Sequence, residues 1–202
     1  MEKIIDFKII TLGNPFVGKT SIFKKYIYKV FGDTESTIGM NMYIKELNIK
    51  VNTIIKLSLV DTNGQDKYRA IPKQYIKNAN GVLFVFSFDN LDSLQGLDQW
   101  IEIFKENIHN ERKIPKFLIG NKNDLNHKVT EKEINDYLKK NPDFIFKSIS
   151  AKTDDIKIDE LFLEMANLLY EEYEKEENKT GKSVKLSSLN KDKKSCFQKC
   201  II

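Results

Sequence analysis

The chain has 202 residues, 41% of them hydrophobic and 31% charged, which fits one soluble domain with a real core plus a polar extension. Its apolar runs are too short to cross a bilayer, and the first eight residues, MEKIIDFK, carry neither a long apolar run nor a small-residue cleavage site, so neither a membrane span nor a secretory leader is expected. The net charge of +4 is uneven: residues 178–202 hold seven lysines and one aspartate, the rest is mildly acidic, and no basic groove with interleaved aromatics suggests a nucleic-acid partner.

Residues 3–13, KIIDFKIITLG, are rich in β-branched side chains and end in glycine, which predicts a strand. The next segment, 20–31, sets Ile22, Phe23, Tyr26 and Ile27 at helical spacing. A polar connector over 32–39 leads to 40–61, read as two alternating strands joined near Lys50–Asn52. GVLFVFSF at 81–88 is the continuous apolar run of a strand buried on both faces. Residues 91–108 form one helix with Leu94, Leu97, Trp100, Ile101, Phe104 and Ile108 on one stripe, and Trp100 reads as core packing. A strand and loop follow at 116–124, then a short helix at 130–141 with Thr130 as N-cap and Glu133 completing a capping box. A strand at 143–151 and a helix at 158–177, with Leu161, Phe162, Met165, Leu168, Leu169 and Tyr173 inward, complete the body. Alternating strands and helices predict an α/β fold: a six-stranded, mostly parallel sheet with one antiparallel edge strand and helices on both faces. From Asn178 the chain turns polar and aperiodic, so a disordered Lys-rich tail is expected over 178–202. Both cysteines, Cys196 and Cys200, lie in that tail, and a cytosolic compartment argues against a disulfide between them.

GNPFVGKT at 13–20 fits G-x-x-x-x-G-K-[ST] and sits between a strand and a helix. Backbone N–H groups from Gly13, Asn14, Phe16, Val17 and Gly18 onward can curl around phosphates, with the helix N-terminus adding positive potential. Lys19 reaches β- and γ-phosphates in such a loop, Thr20 holds Mg²⁺, and Ser21 follows at the same helix start. The plain alternative is a tight glycine turn into a helix. Pro15 lacks an N–H and fixes φ, and Phe16 is bulky, so this loop is stiffer and more crowded than its pattern requires.

NKND at 121–124 follows a strand. The Asp124 carboxylate can accept from the guanine N1–H and 2-amino group, which adenine lacks. Lys122 can lay its stem along the ring and Asn121 can brace the loop. Alone, the tetrapeptide could be a polar turn. Ser150, Ala151 and Lys152, again at a strand end, change the reading, with the Ala151 amide reaching the guanine O6. All these pieces fall at the C-terminal ends of strands, where open α/β sheets bind ligands.

The set GNPFVGKT, Thr37, DTNGQ (61–65), NKND and SAK resembles the Ras superfamily of small GTPases over about residues 5–176. STIGM (36–40), residues 68–86 and the Trp100 helix resemble its Rab branch. The 25 residues between Asp124 and Ser150 leave no room for a Rho-type insert helix, and Glu2 stands where the Arf branch has a myristoylated glycine. The resemblance implies GTP and GDP as ligands and Mg²⁺ as cofactor, with Asp61 holding the metal through a water and Thr37 completing its shell. It also implies a Gly64 amide on the γ-phosphate, Gln65 orienting the attacking water, and Phe31 as an aromatic edge over the base. Hydrolysis would then release both loops.

The function so implied is a slow GTP/GDP switch in vesicle trafficking, in the cytosol and on the cytoplasmic face of intracellular membranes. Its partners would be an exchange factor, a GTPase-activating protein, effectors at the switch regions and Rab escort or dissociation-inhibitor proteins, around a monomeric GTPase domain spanning 1–177. Asn63 replaces the usual alanine and, with Pro15 and Phe16, motivates an alternative: a non-cycling GTP-binding adaptor. An ATP-using P-loop kinase is a third reading, opposed by NKND with SAK. The effector surface implied is Ile38, Met42, Val60 and Tyr75, where Tyr75 alone keeps one of the three large aromatics of typical Rabs. Lys199 rules out a C-a-a-X box. Rab-type geranylgeranylation is therefore implied at Cys200, with Cys196 as a second site and plain surface thiols as the alternative. His109 and His127 lack partners at ligand spacing, so no metal role is expected of them.

Overall fold

The strand β1 (Lys3–Leu12) runs through the middle of the sheet because its two faces are both apolar: Ile5, Phe7 and Ile9 point to one side, Ile10 and Leu12 to the other. A computed structural model describes residues 3–32, 40–62, 73–108 and 113–196. In chain order β1 is followed by α1 (Lys19–Tyr28), β2 (Met40–Lys50), β3 (Thr53–Thr62), α2 (Lys73–Lys77) and β4 (Gly81–Ser87). Then come α3 (Leu91–Gln95), α4 (Leu97–Asn107), β5 (Lys116–Asn121), α5 (Glu131–Lys140), β6 (Phe144–Ser148) and α6 (Asp155–Cys196).

The six strands lie in the order β2-β3-β1-β4-β5-β6. Strand β2 pairs antiparallel with β3, and every other neighbour is parallel. The predicted mostly parallel sheet with one antiparallel edge strand is what the chain forms. Every residue of β4 is buried, and its side chains alternate between two cores. Leu83 and Val85 face Phe23, Phe162 and Met165 on the α1/α6 side, whereas Val82, Phe84 and Phe86 face Leu97, Trp100 and Phe104 on the α3/α4 side. β2 instead alternates between exposed and half-buried positions, as an edge strand covered on one face does.

The 91–108 segment departs from its expected single helix. It is split at Gly96, where the carboxamide of Asn14 lies so close that a Cβ would meet its Nδ2 at 2.5 Å. The predicted stripe survives the break, because Leu94, Leu97, Trp100, Ile101 and Phe104 are all buried. Helix α1 stops at Tyr28, before the predicted 31, because Lys29 adopts a left-handed conformation (φ 59°). The short α2 has no counterpart among the elements predicted from periodicity, since five residues are too few to show one.

Helix α6 differs most from expectation. It starts at Asp155 and continues to Cys196, whereas periodicity predicts a helix over 158–177. No proline lies between 178 and 196 to interrupt the backbone ladder. Its turns near Glu177 are pinned to the sheet, with Lys3 Nζ 2.7 Å from Glu177 Oε2 and Lys50 Nζ 3.0 Å from Glu174 Oε1. Each of these lysines also lies over a tyrosine ring of α6, Tyr173 or Tyr170. Among the described residues no helix is long and apolar enough to cross a membrane.

The capping box of α5 forms as predicted: the Thr130 hydroxyl accepts from the Glu133 N–H, and the Glu133 carboxylate accepts from the Thr130 N–H at 2.7 Å. Thr130→Ala is expected to cost about 1 kcal/mol of stability, read as a lower urea midpoint with an unchanged slope. An unchanged midpoint would show that the box adds nothing.

Candidate functional site

The phosphate-type loop leaves β1 and climbs into α1 with Lys19 at its first helical position. Lys19 is buried, a costly place for a cation, and its Nζ donates to the carbonyls of Gly13 (2.8 Å) and Asn14 (2.9 Å). Those two bonds hold the ammonium inside the loop. Gly18 sits at φ 94°, and a Cβ there would come within 2.2 Å of Asn121 Nδ2, so only glycine fits.

Beside the loop, Thr20 Oγ1 donates to Asp61 Oδ2 at 2.7 Å. Asp61 is wholly buried at the end of β3. The backbone there is laced to β1, with Thr62 Oγ1 donating to the Thr11 carbonyl at 2.7 Å. A hydroxyl and a carboxylate side by side form the hard-oxygen pair that suits Mg²⁺, so these residues fit the implied cation.

Asn121, the last residue of β5, joins three segments. Its Nδ2 donates to the Val17 carbonyl at 2.8 Å, and its Oδ1 accepts from the Ala151 N–H at 3.0 Å. The Ala151 amide, expected to face a base carbonyl, thus has a protein acceptor, because a buried N–H takes the nearest available oxygen. Asp124 is exposed at the mouth of the loop, and its Oδ1 accepts from Ser150 Oγ at 2.6 Å. The same Ser150 oxygen accepts from the amides of Lys152 (3.1 Å) and Thr153 (3.2 Å). Lys122 takes a positive φ of 61° and places Nζ 3.2 Å from Asp89 Oδ2. Burial pushes the Asp89 carboxyl up, but hydrogen bonds from Ser87 and Lys122 outweigh it and hold the group below its ordinary value. Asp89 escaped the sequence reading, although its place just past the end of β4, level with the other loops, was a signal.

Phe16 turns out of the loop. It is 74% exposed and sits at φ 63°, a left-handed conformation that costs a bulky residue roughly 1–2 kcal/mol. The crowding expected of it inside the loop is avoided in this way. Phe31 is half exposed and Ser21 partly buried.

Of the implied effector surface, Met42 is exposed on β2, and Tyr75 is half-buried with Lys8 Nζ 5.5 Å from its ring centre. Val60 does not belong to that surface. It is 1% exposed, because its β3 position faces the α3/α4 core rather than solvent. Thr37, Ile38, Asn63, Gly64, Gln65, His109 and Cys200 lie outside the described residues. His127 stacks on Phe88 with ring centres 4.2 Å apart. Trp100, read as packing, also uses its indole N–H on the phosphate-type loop.

The Ras family matches residues 8–171 of the chain. The Ras-related protein Rab-7b of Homo sapiens is 30% identical over 189 residues, 92% of this chain and 94% of that protein. Rab-7b of Bos taurus is 29% identical over 198 residues, 96% and 98% of the two chains. Rab-11B of Dictyostelium discoideum is 40% identical over 119 residues, 58% and 53% of the two.

Proposed function

This chain belongs to the Ras family of small GTPases, in its Rab branch, and from that premise we propose that it is a slow GTP/GDP switch of vesicle and membrane trafficking. The observation that carries the reading is the Asn121 carboxamide, which joins the phosphate-type loop to the Ala151 amide and so makes one site of two motifs.

In this reading Lys19 binds the β- and γ-phosphates from a position its two carbonyl bonds already hold. Thr20 and Asp61 would hold Mg²⁺, with Thr37 completing the shell. The ion, when bound, neutralises developing charge on the phosphate oxygens. Asp124 accepts from the guanine N1–H and 2-amino group while the Lys122 stem lies along the ring. The Gly64 amide senses the γ-phosphate, and Gln65 orients water for in-line attack. Loss of the γ-phosphate frees both loops, so partners that bind them read the nucleotide state. Those partners are an exchange factor, a GTPase-activating protein, effectors and Rab escort or dissociation-inhibitor proteins. An activating partner that raises the rate about 10⁵-fold removes roughly 7 kcal/mol of barrier. Cys200 is the prenylation site of the Lys-rich segment, with Cys196 as a second candidate. One lipid chain anchors only marginally, and each lysine adds about 1 kcal/mol on an anionic leaflet.

A second reading, a GTP-binding adaptor that does not cycle, draws on Phe16, whose left-handed backbone beside Pro15 makes this loop unlike an easy glycine-rich one. A single-turnover assay on Mg²⁺-GTP-loaded protein separates the two. The expected result is bound GDP accumulating over hours in the natural protein and at least about tenfold more slowly in Gln65→Leu. Intact GTP in both proteins would overturn the hydrolytic switch and leave the adaptor.

A further inference from the structure

We propose that Trp100 is a positioning residue of the phosphate-type loop: its indole N–H seats the Asn14 carboxamide, and through Asn14 it orients the carbonyls that hold the Lys19 ammonium. This rests on the reading of that loop as a nucleotide site.

Trp100, the only tryptophan in the chain, is 4% exposed on α4. Its Nε1 donates to Asn14 Oδ1 at 3.1 Å. The other end of the same carboxamide, Nδ2, donates to the Asp92 carbonyl of α3 at 3.4 Å. Beneath it lies Gly96, where a Cβ would meet Nδ2 at 2.5 Å and Oδ1 at 2.8 Å. One amide is thus held by an indole donor, a carbonyl acceptor and a bare glycine, all from the α3/α4 segment. The break at Gly96, which periodicity alone does not explain, lies where the amide is seated.

The chemistry is selective at both ends. A carboxylate at position 14 would accept from the indole but repel the Asp92 carbonyl. Alanine would reach neither, and phenylalanine at position 100 would fill the same space without a donor. The backbone carbonyl of Asn14 accepts from Lys19 Nζ at 2.9 Å, so a single residue links the indole to the phosphate-binding cation. Two residues of loop lie between two anchors. Asn14 is bolted to α3 and α4, and Val17 is tied through its carbonyl to Asn121. Pro15 and the left-handed Phe16 lie between them. A strained conformation persists where its surroundings over-determine it, and these anchors supply that constraint.

The test uses the full chain loaded with a fluorescent GDP analogue in Mg²⁺, with release followed by stopped flow for the natural protein, Trp100→Phe, Asn14→Ala and the double variant. Release is expected to quicken roughly 5- to 30-fold in each single variant, with no further gain in the double. The same factor is expected for inosine diphosphate, which lacks the 2-amino group, because the base contacts are untouched. Trp100 emission is expected to shift on GDP release in the natural protein and to lose that shift in Asn14→Ala, a signature that packing alone would not produce. If Trp100→Phe does not fold, Asn14→Ala and Gly96→Ala carry the test, since both unseat the amide and leave the indole in the core. Unchanged release in the folded variants, multiplying effects in the double variant, or a factor that differs between the two diphosphates would overturn the proposal. If the natural protein retains neither diphosphate, the nucleotide reading fails and this proposal fails with it.

Discussion

Asp124→Asn is expected to lower GTP affinity roughly 10²- to 10⁴-fold and to raise affinity for xanthosine triphosphate. The carboxylate would accept two charge-assisted hydrogen bonds from guanine, each worth about 1.5–3 kcal/mol, and an amide replaces one acceptor oxygen by a donor. Xanthine carries a 2-oxo group where guanine carries the amino group, so it suits that donor. The structure makes the substitution clean. Asp124 is exposed, and its bond from Ser150 Oγ to Oδ1 can be kept by the oxygen of an asparagine. Ser150 also retains the Lys152 and Thr153 amides, so the base loop keeps its shape. Competition of each triphosphate against a fluorescent GDP analogue measures the effect. An Asp124→Asn protein with unaltered GTP preference would place base reading elsewhere.

Gly18→Ala is expected to weaken nucleotide binding at least about 100-fold, acting on both ends of the site. A methyl group here meets Asn121 Nδ2 at 2.2 Å, and the backbone sits at φ 94°. The Asn121 carboxamide has to leave, and with it go the bonds to the Val17 carbonyl and the Ala151 amide. Each buried group left unsatisfied costs about 1–3 kcal/mol, and strain at position 18 adds to that. Asn121→Ala removes the same bonds without the clash and is expected to reproduce most of the loss. Retention of GDP by a folded Gly18→Ala protein at the natural rate would show that the Asn121 bridge is dispensable.

The phosphate-type motif and several element boundaries were legible because they obey local rules. G-x-x-x-x-G-K-[ST] needs only a strand before it and a helix after it, and β1 and α1 supply both. The alternation in 40–61 placed the hairpin within a residue or two, and Thr130 with Glu133 marked the start of α5 by hydrogen bonds three residues apart. Val60 was placed on the effector surface by the family resemblance, which says nothing of burial in this chain. Alternation tells which residues share a face of β3, but not which face a helix covers.

What the sequence determined by itself is therefore most of the elements, the α/β class and the positions of the nucleotide-type motifs, since periods of two and 3.6 residues and short spacings are local properties of the chain. What only the tertiary structure decided is how those motifs are joined. Asn121 meets Val17 across 104 positions, Trp100 meets Asn14 across 86, and Lys122 meets Asp89 across 33. These pairs exist because the order β2-β3-β1-β4-β5-β6 brings the ends of β1, β4 and β5 side by side. Buried polar groups there take the partner that strand order provides, and chain distance does not enter into that choice.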